Sequence, residues 1–148
     1  MALTKKKAHD VVILLGSTTK AEAGTFTGSS VRMPLPPNGM VFVLDVTTVA
    51  TFASDKLDVT VQTRIDNAAA DGTWHGVVQF TQVLGNGGTK QYVEKITSAA
   101  TEAGYESGTA LAAGTVRNII GDEWRVQYTL TDAGESMSFT FSVTACPM

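Results

Sequence analysis

Residues 123–145 show the most regular alternation of apolar and polar positions in the chain. Between 124 and 130, and again between 137 and 145, every second residue is apolar. Because successive side chains of a β-strand point to opposite faces, this period of two predicts two strands, each with one apolar and one polar face. The short segment 131–136 predicts that they pair as a hairpin. Two strands alone are marginally stable, so the apolar face requires a second layer and favours a β-sandwich. The apolar residues are Trp124, Val126, Tyr128, Leu130, Met137, Phe139, Phe141, Val143 and Ala145.

A second hairpin is predicted from residues 57–66 and 74–83, which also alternate. Asp71 and Gly72 provide the residue types that tight hairpin turns favour. On this alternation Trp74 and Trp124 fall on apolar faces and are expected in the core, whereas His75 falls on the face opposite Trp74.

The rest of the chain also reads as strands and turns. No window shows the i, i+3, i+4, i+7 pattern of an amphipathic helix. A chain of 148 residues suits one domain. We therefore predict an all-β, single-domain β-sandwich, jelly-roll-like, with about eight strands in residues 10–148 and a flexible basic arm in residues 1–9. The remaining strand-like runs are 10–15, 29–33, 40–50, 90–96 and 115–120.

Residues 40–50 form the longest apolar run, interrupted by Asp45. A strand that is apolar on both faces is typical of one covered on both sides. We expect one face in the core and the other against a second subunit, and Met40 and Phe42 are candidate contact residues. Residues 10–15 are likewise expected to be a strand covered on both faces.

Two connecting segments add candidate contacts. Pro34, Pro36 and Pro37 fix the backbone and remove donors, which predicts a stiff surface connector. Residues 97–114 are rich in Ala, Gly, Ser and Thr and have no pattern, and a loop of this length is usually functional or disordered. Tyr105, within it, is an aromatic residue without a core assignment.

The net charge of −3 argues against nucleic acid as a partner, because a nucleic-acid binder needs a basic face. Charge is unevenly distributed: residues 1–10 carry +2 and the rest −5. Lys5, Lys6 and Lys7 are therefore candidate contacts with an acidic patch on a partner protein or a neighbouring subunit. A solvated start that serves solubility is the alternative.

No membrane interaction is expected, since the apolar run 11–15 is too short for a signal core or a membrane span. Cys146 is the single cysteine, so no intrachain disulfide can form.

Catalytic and metal-binding patterns are not matched. The only histidines are His9 and His75, no Gly-x-Ser-x-Gly motif occurs, and clustered Cys and His for zinc are missing. The acidic spacing of a calcium loop is not met in residues 66–72. We expect no cofactor, no metal and no enzymatic activity, although a pair of glycosidase carboxylates facing one cleft stays an open alternative.

Five segments together resemble small virion proteins of tailed bacteriophages, and among these the capsid decoration (cement, auxiliary head) proteins. They are residues 55–63, 72–74, 78–82, 124–126 and 138–143. The resemblance implies a β-sandwich bound as a homotrimer to the major capsid protein of a phage head. It also implies synthesis in the host cytoplasm, a final location on the capsid exterior and a role in stabilising the shell.

A carbohydrate- or receptor-binding module of a phage tail fibre or baseplate is the main alternative. It would need an exposed aromatic platform, for which Tyr105 is the candidate.

Overall fold

The computed structural model describes residues 11–33, 38–64, 73–106, 109–132 and 137–148. These residues form β-strands and irregular segments, and within them no helix is present that could cross a membrane. Three of the strands are only two residues long. The strands are β1 (Val12–Lys20), β2 (Gly24–Thr27), β3 (Val31–Arg32), β4 (Gly39–Thr48), β5 (Lys56–Arg64), β6 (His75–Gln79), β7 (Val83–Leu84), β8 (Lys90–Thr97), β9 (Thr115–Val116), β10 (Glu123–Thr131) and β11 (Phe139–Pro147).

The strands build two antiparallel sheets packed face to face. The first sheet has the order β1-β11-β4-β8, and the second has the order β2-β10-β5-β6-β9, with β3 also on β10 and β7 also on β5. Eight strands have four residues or more, and they divide four and four between the sheets. Most consecutive long strands change sheet, which is the order of a jelly roll. The predicted single-domain, jelly-roll-like β-sandwich is confirmed.

The hairpin predicted in residues 123–145 is wrong, although both of its apolar faces are buried. β10 pairs with β5 over nine residue pairs in the second sheet, whereas β11 pairs with β1 and β4 in the first. The two strands therefore face each other across the core. Alternation shows which face of a strand is buried but does not identify its hydrogen-bonding neighbour. The connection at 133–136 lies outside the described residues.

The second predicted hairpin is confirmed, since β5 and β6 pair directly, with Thr60 opposite Gln79. The expected turn at residues 67–72 lies outside the described residues.

The core lies between the sheets and is joined by aromatic contacts. Phe42 on β4 meets Trp124 on β10 with ring centroids 5.7 Å apart, and Tyr128 on β10 meets Phe141 on β11 edge to face at 5.1 Å. The burial of these apolar side chains stabilises the sandwich through the hydrophobic effect and dispersion. The core residues with 0% exposure include Val59, Val61, Phe80, Trp124, Phe139 and Phe141.

Strand β1 is covered on one face only, so the expectation of two covered faces is wrong. It lies at the edge of the first sheet, where Leu14 is buried but Ile13 is 64% exposed. Register shifts between Leu15 and Thr18 mark an irregular stretch, after which the strand continues to Lys20. Such irregularities are common at sheet edges.

Candidate functional site

A cavity of about 210 Å³ opens on the outer face of the second sheet. Strands β5, β6 and β10 form its floor, and residues 105 and 109–111 of the long loop border it. The floor is polar because alternation that buries Val59 and Val61 turns Thr60 and Gln62 outward. The lining side chains include Thr60, Gln62, Gln79 and Gln127 on the floor and Trp74, His75, Tyr105 and Arg117 around it.

Arg117 fastens the loop to the sheet. It is only 8% exposed, and its Nη1 donates to the carbonyl oxygens of Thr109 at 2.8 Å and Gly76 at 3.4 Å. Its guanidinium carbon also lies 4.0 Å from the ring centroid of Tyr105, a cation–π contact. The wall of the cavity is thus held by one buried cation.

A second fastening lies at the start of the same loop. The Glu102 carboxylate oxygen Oε2 accepts hydrogen bonds from the backbone N and the side-chain Nδ2 of Asn118, at 2.7 and 3.2 Å. In turn, Oδ1 of Asn118 accepts from the backbone N of Thr97 at 3.0 Å. Residues before and after the loop are therefore tied together at one point.

Tyr105 and His75 join the loop to β6. The Tyr105 hydroxyl is 2.6 Å from Nδ1 of His75, and the two rings meet edge to face with centroids 5.8 Å apart. Burial raises the pKa of Tyr105, nearby Glu102 acts in the same direction, and Arg117 opposes them. The phenol is therefore protonated at neutral pH and fixed in position.

Trp74 lies at the cavity and not in the core, so its expected burial is wrong. The pairing of β5 with β6 shifts register between Val61 and Gln62, and both Val77 and Val78 are buried. This bulge reverses the alternation for the residues before it. Trp74 consequently faces outward. Two consecutive valines, Val77 and Val78, interrupt the alternation in the sequence and are the signal for this bulge.

Two arginines hold the Trp74 ring. The guanidinium carbons of Arg125 and Arg64 lie 4.2 and 5.0 Å from its centroid. Arg64 also pairs with Glu123, and Arg32 pairs with the same carboxylate at 3.0 Å. The pKa of Glu123 is lowered, first by the hydrogen bond from Arg32 and then by the hydrogen bond and the positive charge of Arg64. Desolvation of the carboxylate opposes this shift but does not cancel it.

No protein-family model and no curated protein matches the sequence. A chain in the structure of the infectious bursal disease virus Gx strain is similar over 93% of this protein, with 12% identity and a TM-score of 0.54. A chain of the Gt strain aligns over 99% with 10% identity and a TM-score of 0.48.

The likeness to the Gx strain shows a shared fold. This protein spans 31% of the length of the Gx chain and 36% of the Gt chain, so about a third of each.

The outer face of the first sheet carries a row of four cross-strand neighbours, of which three are apolar and one, Thr144, is polar. Register places Ile13 beside Thr144, Thr144 beside Val43, and Val43 beside Val93 across all four strands. Ile13 and Val93 are 64% and 61% exposed. A solvated sheet face is usually polar, so this row is a candidate contact surface.

The residues selected from sequence separate into three groups. Tyr105 lies in the cavity wall. Met40 and Phe42 have 0% exposure and lie in the protein's own core, because their face of β4 points inward. The others, Lys5, Lys6, Lys7, Pro34, Pro36 and Pro37, lie outside the described residues.

Sequence reasoning missed Trp74, Arg117 and the glutamines of the floor. Within the described residues no group of three His, Cys, Asp or Glu side chains is arranged to hold a metal ion. What the cavity offers is hydrogen bonding, aromatic surface and one buried guanidinium.

Proposed function

We propose that the protein is a non-enzymatic structural component of a virion, which binds the outer surface of a phage capsid as a trimer and stabilises the shell. The observation that carries this proposal is the row of Ile13, Val43 and Val93 on the outer face of the first sheet. Exposed apolar rows of this kind are typical of surfaces that bind other proteins.

Met40 and Phe42 point into the core, so the opposite face of β4 would make the proposed contact with another subunit or the capsid. Val41 and Val43 point outward on the same strand and are half-buried. Val43 belongs to the apolar row and Val41 extends it along β4, so the proposed contact uses these two valines.

The fold supports a role in a virion. Double-sheet jelly rolls are common in viral capsids, and they also occur in lectins. The likeness to a chain of the infectious bursal disease virus Gx strain, at a TM-score of 0.54, agrees with the capsid use of this fold. Fold alone does not determine function, so the apolar row remains the carrying observation.

Symmetric binding to a shell would add up weak contacts. Each chain tethered by one contact experiences a high effective concentration for the next. A trimer on a capsid therefore needs only a modest surface per subunit.

The test is multi-angle light scattering of the purified protein, followed by co-sedimentation with expanded and unexpanded heads of several tailed phages. We expect a mass of three chains in solution or on the shell, and preferential pelleting with expanded heads. A double variant, Val43→Lys with Val93→Lys, should remain folded and lose both properties, because buried lysines at a contact are costly.

The matched control is Ala21→Lys, which adds charge at an exposed position between β1 and β2. It should behave as the unmodified protein does. Trimerisation and head binding that survive the double variant unchanged would contradict the proposal.

A further inference from the structure

Two glutamine side chains on the cavity floor have N–H groups available to a ligand, while their amide oxygens already accept hydrogen bonds from neighbouring residues. Oε1 of Gln62 accepts from Nε of Arg125 at 2.7 Å, and Oε1 of Gln79 accepts from the hydroxyl of Thr60. Each amide keeps its Nε2 group, which can donate two hydrogen bonds. Neither Nε2 has a partner among the described residues. A ligand rich in acceptor oxygens would satisfy them.

Arg117 contributes a positive charge without a carboxylate partner. Both ion pairs found in the described residues involve Glu123, and neither includes Arg117. The described lining contains no Asp or Glu side chain. A guanidinium that is only 8% exposed is costly unless an anion accompanies it, and carbonyl oxygens supply only part of that compensation. An anionic group in the cavity would complete it.

Arg125 reinforces this positive potential from beside the floor. It donates to Gln62 and contacts the Trp74 ring, and it too makes no ion pair with a described residue. The protein as a whole has a net charge of −3, so this positive site is a local exception. A local charge opposite to the net charge favours recognition of an anion at that place.

Aromatic side chains provide the apolar part of the site. Trp74, Tyr105 and His75 all border the cavity, and the first two are held by cation–π contacts. Aromatic rings pack well against the C–H faces of ring-shaped ligands. The volume of about 210 Å³ is below the roughly 300–1,000 Å³ of drug-sized sites, so it suits a single ring.

From these donors, charges and rings together, we propose that the cavity binds an acidic monosaccharide unit of a glycan. The carboxylate lies toward Arg117 and the amides of Gln62 and Gln79, and the ring packs against Trp74 or Tyr105. Uronic acids and sialic acids share this chemistry. The proposal stands on the cavity and is independent of the role in a virion.

The test is titration of the full chain, by calorimetry and by ¹⁵N-detected NMR, with three probes. D-Glucuronic acid and N-acetylneuraminic acid carry the carboxylate, and D-glucose is the neutral match of the former. We expect at least one acid to bind at least tenfold more tightly than glucose and to shift the signals of the Trp74 indole and Arg117. Which acid binds more tightly identifies the class of glycan.

Gln62→Glu is the decisive variant, because it adds a negative charge to the floor and retains an acceptor for Arg125. It should weaken binding of the acid at least tenfold. Gln91→Glu, on exposed β8 of the other sheet, is the matched control and should leave binding unchanged. The proposal would be overturned if neither acid bound more tightly than glucose, or if the Gln62→Glu variant bound the acid as tightly as the unmodified protein.

Discussion

Tyr128 and Phe141 meet edge to face across the core, with ring centroids 5.1 Å apart. They belong to β10 and β11, so this contact joins the two sheets at their centre. Phe141 has no exposed surface, and Tyr128 also stacks on Phe26 of β2 at 5.5 Å. Packing of the sandwich therefore depends on this pair.

Phe141→Ala should lower the free energy of unfolding by about 3 to 5 kcal/mol, because it leaves a cavity between the sheets. Chemical denaturation monitored by tryptophan fluorescence measures the effect. Ser142→Ala, at the next position on the outward face, is the control and should change stability by less than about 0.5 kcal/mol. An unchanged midpoint for Phe141→Ala would contradict the packing described.

Gly121→Ala should destabilise the protein by about 1 to 3 kcal/mol, since a Cβ there would overlap the carbonyl of Arg64 and the hydroxyl of Thr63. The backbone N of Gly121 donates to that same hydroxyl at 3.2 Å. Gly16→Ala is the matched control, because nothing lies within 4 Å of its added Cβ. Thermal melts of the two variants provide the comparison, and equal melting temperatures would show that residue 121 has room.

Glu123 should make stability depend on acid. Its pKa in the folded protein is held below the ordinary value of 4.5, first by the hydrogen bond from Arg32. A lowered pKa means that the folded state binds its proton less readily than the unfolded state. The stabilisation by Glu123 is therefore complete at pH values above its ordinary pKa, and it is lost as the pH falls through the lowered pKa of the folded state.

Glu123→Gln should accordingly have a lower melting temperature at pH 7 and a weaker decline of stability below pH 4.5. Melting curves across an acid series test this, with Glu22→Gln at an exposed position as the control. A decline in the variant as steep as in the unmodified protein would assign acid sensitivity to other groups.

Arg117→Met should free the long loop while leaving the sandwich folded. The variant keeps the length of the side chain but loses the hydrogen bonds to Thr109 and Gly76 and the contact with Tyr105. We expect faster hydrogen exchange in residues 102–106 and 109–111 and a free energy of unfolding lower by about 1 to 3 kcal/mol. Lys95→Met, on the exposed face of β8, is the control. Unchanged exchange in the loop would mean that Glu102 and Asn118 suffice to hold it.

Deletion of residues 2–8 tests the basic arm proposed from sequence. We expect an unchanged melting temperature and, at low salt, reduced occupancy of phage heads. The difference from the full chain should shrink as salt rises, because salt screens charge–charge contacts. Replacing Lys5, Lys6 and Lys7 by Gln separates charge from length. If the shortened chain binds heads equally well across a salt series, the arm has no role in binding.

Alternation predicted burial well and strand pairing poorly. Trp124 and Phe141 were recognisable as core residues because a side chain's face depends only on its own strand. The pairing of β10 with β5 and of β11 with β4 depends on packing between distant segments, which a local pattern does not contain. The result was a correct architecture with one false hairpin.

The cavity was only partly predictable. The local pattern singles out Tyr105 because no strand accounts for it, but its partner His75 lies 30 residues earlier, and nothing in that pattern connects the two. Trp74 was misassigned because a bulge at Val77 and Val78 reverses the alternation. The local pattern does not indicate Arg117, because its role comes from the carbonyl oxygens of Thr109 and Gly76, which only the folded chain brings near.

The strand order also determines when the protein can fold. Thr19 on β1 and Thr140 on β11 share a hydrogen bond at 2.8 Å although they are 121 residues apart in the sequence. β4 likewise pairs with β11, so neither strand can find this neighbour before residues 139–147 have left the ribosome. Proteins dominated by such distant pairings fold on the millisecond to second scale. During synthesis one edge of β4 therefore has no strand to pair with until β11 is made, and unpaired strand edges of this kind favour aggregation.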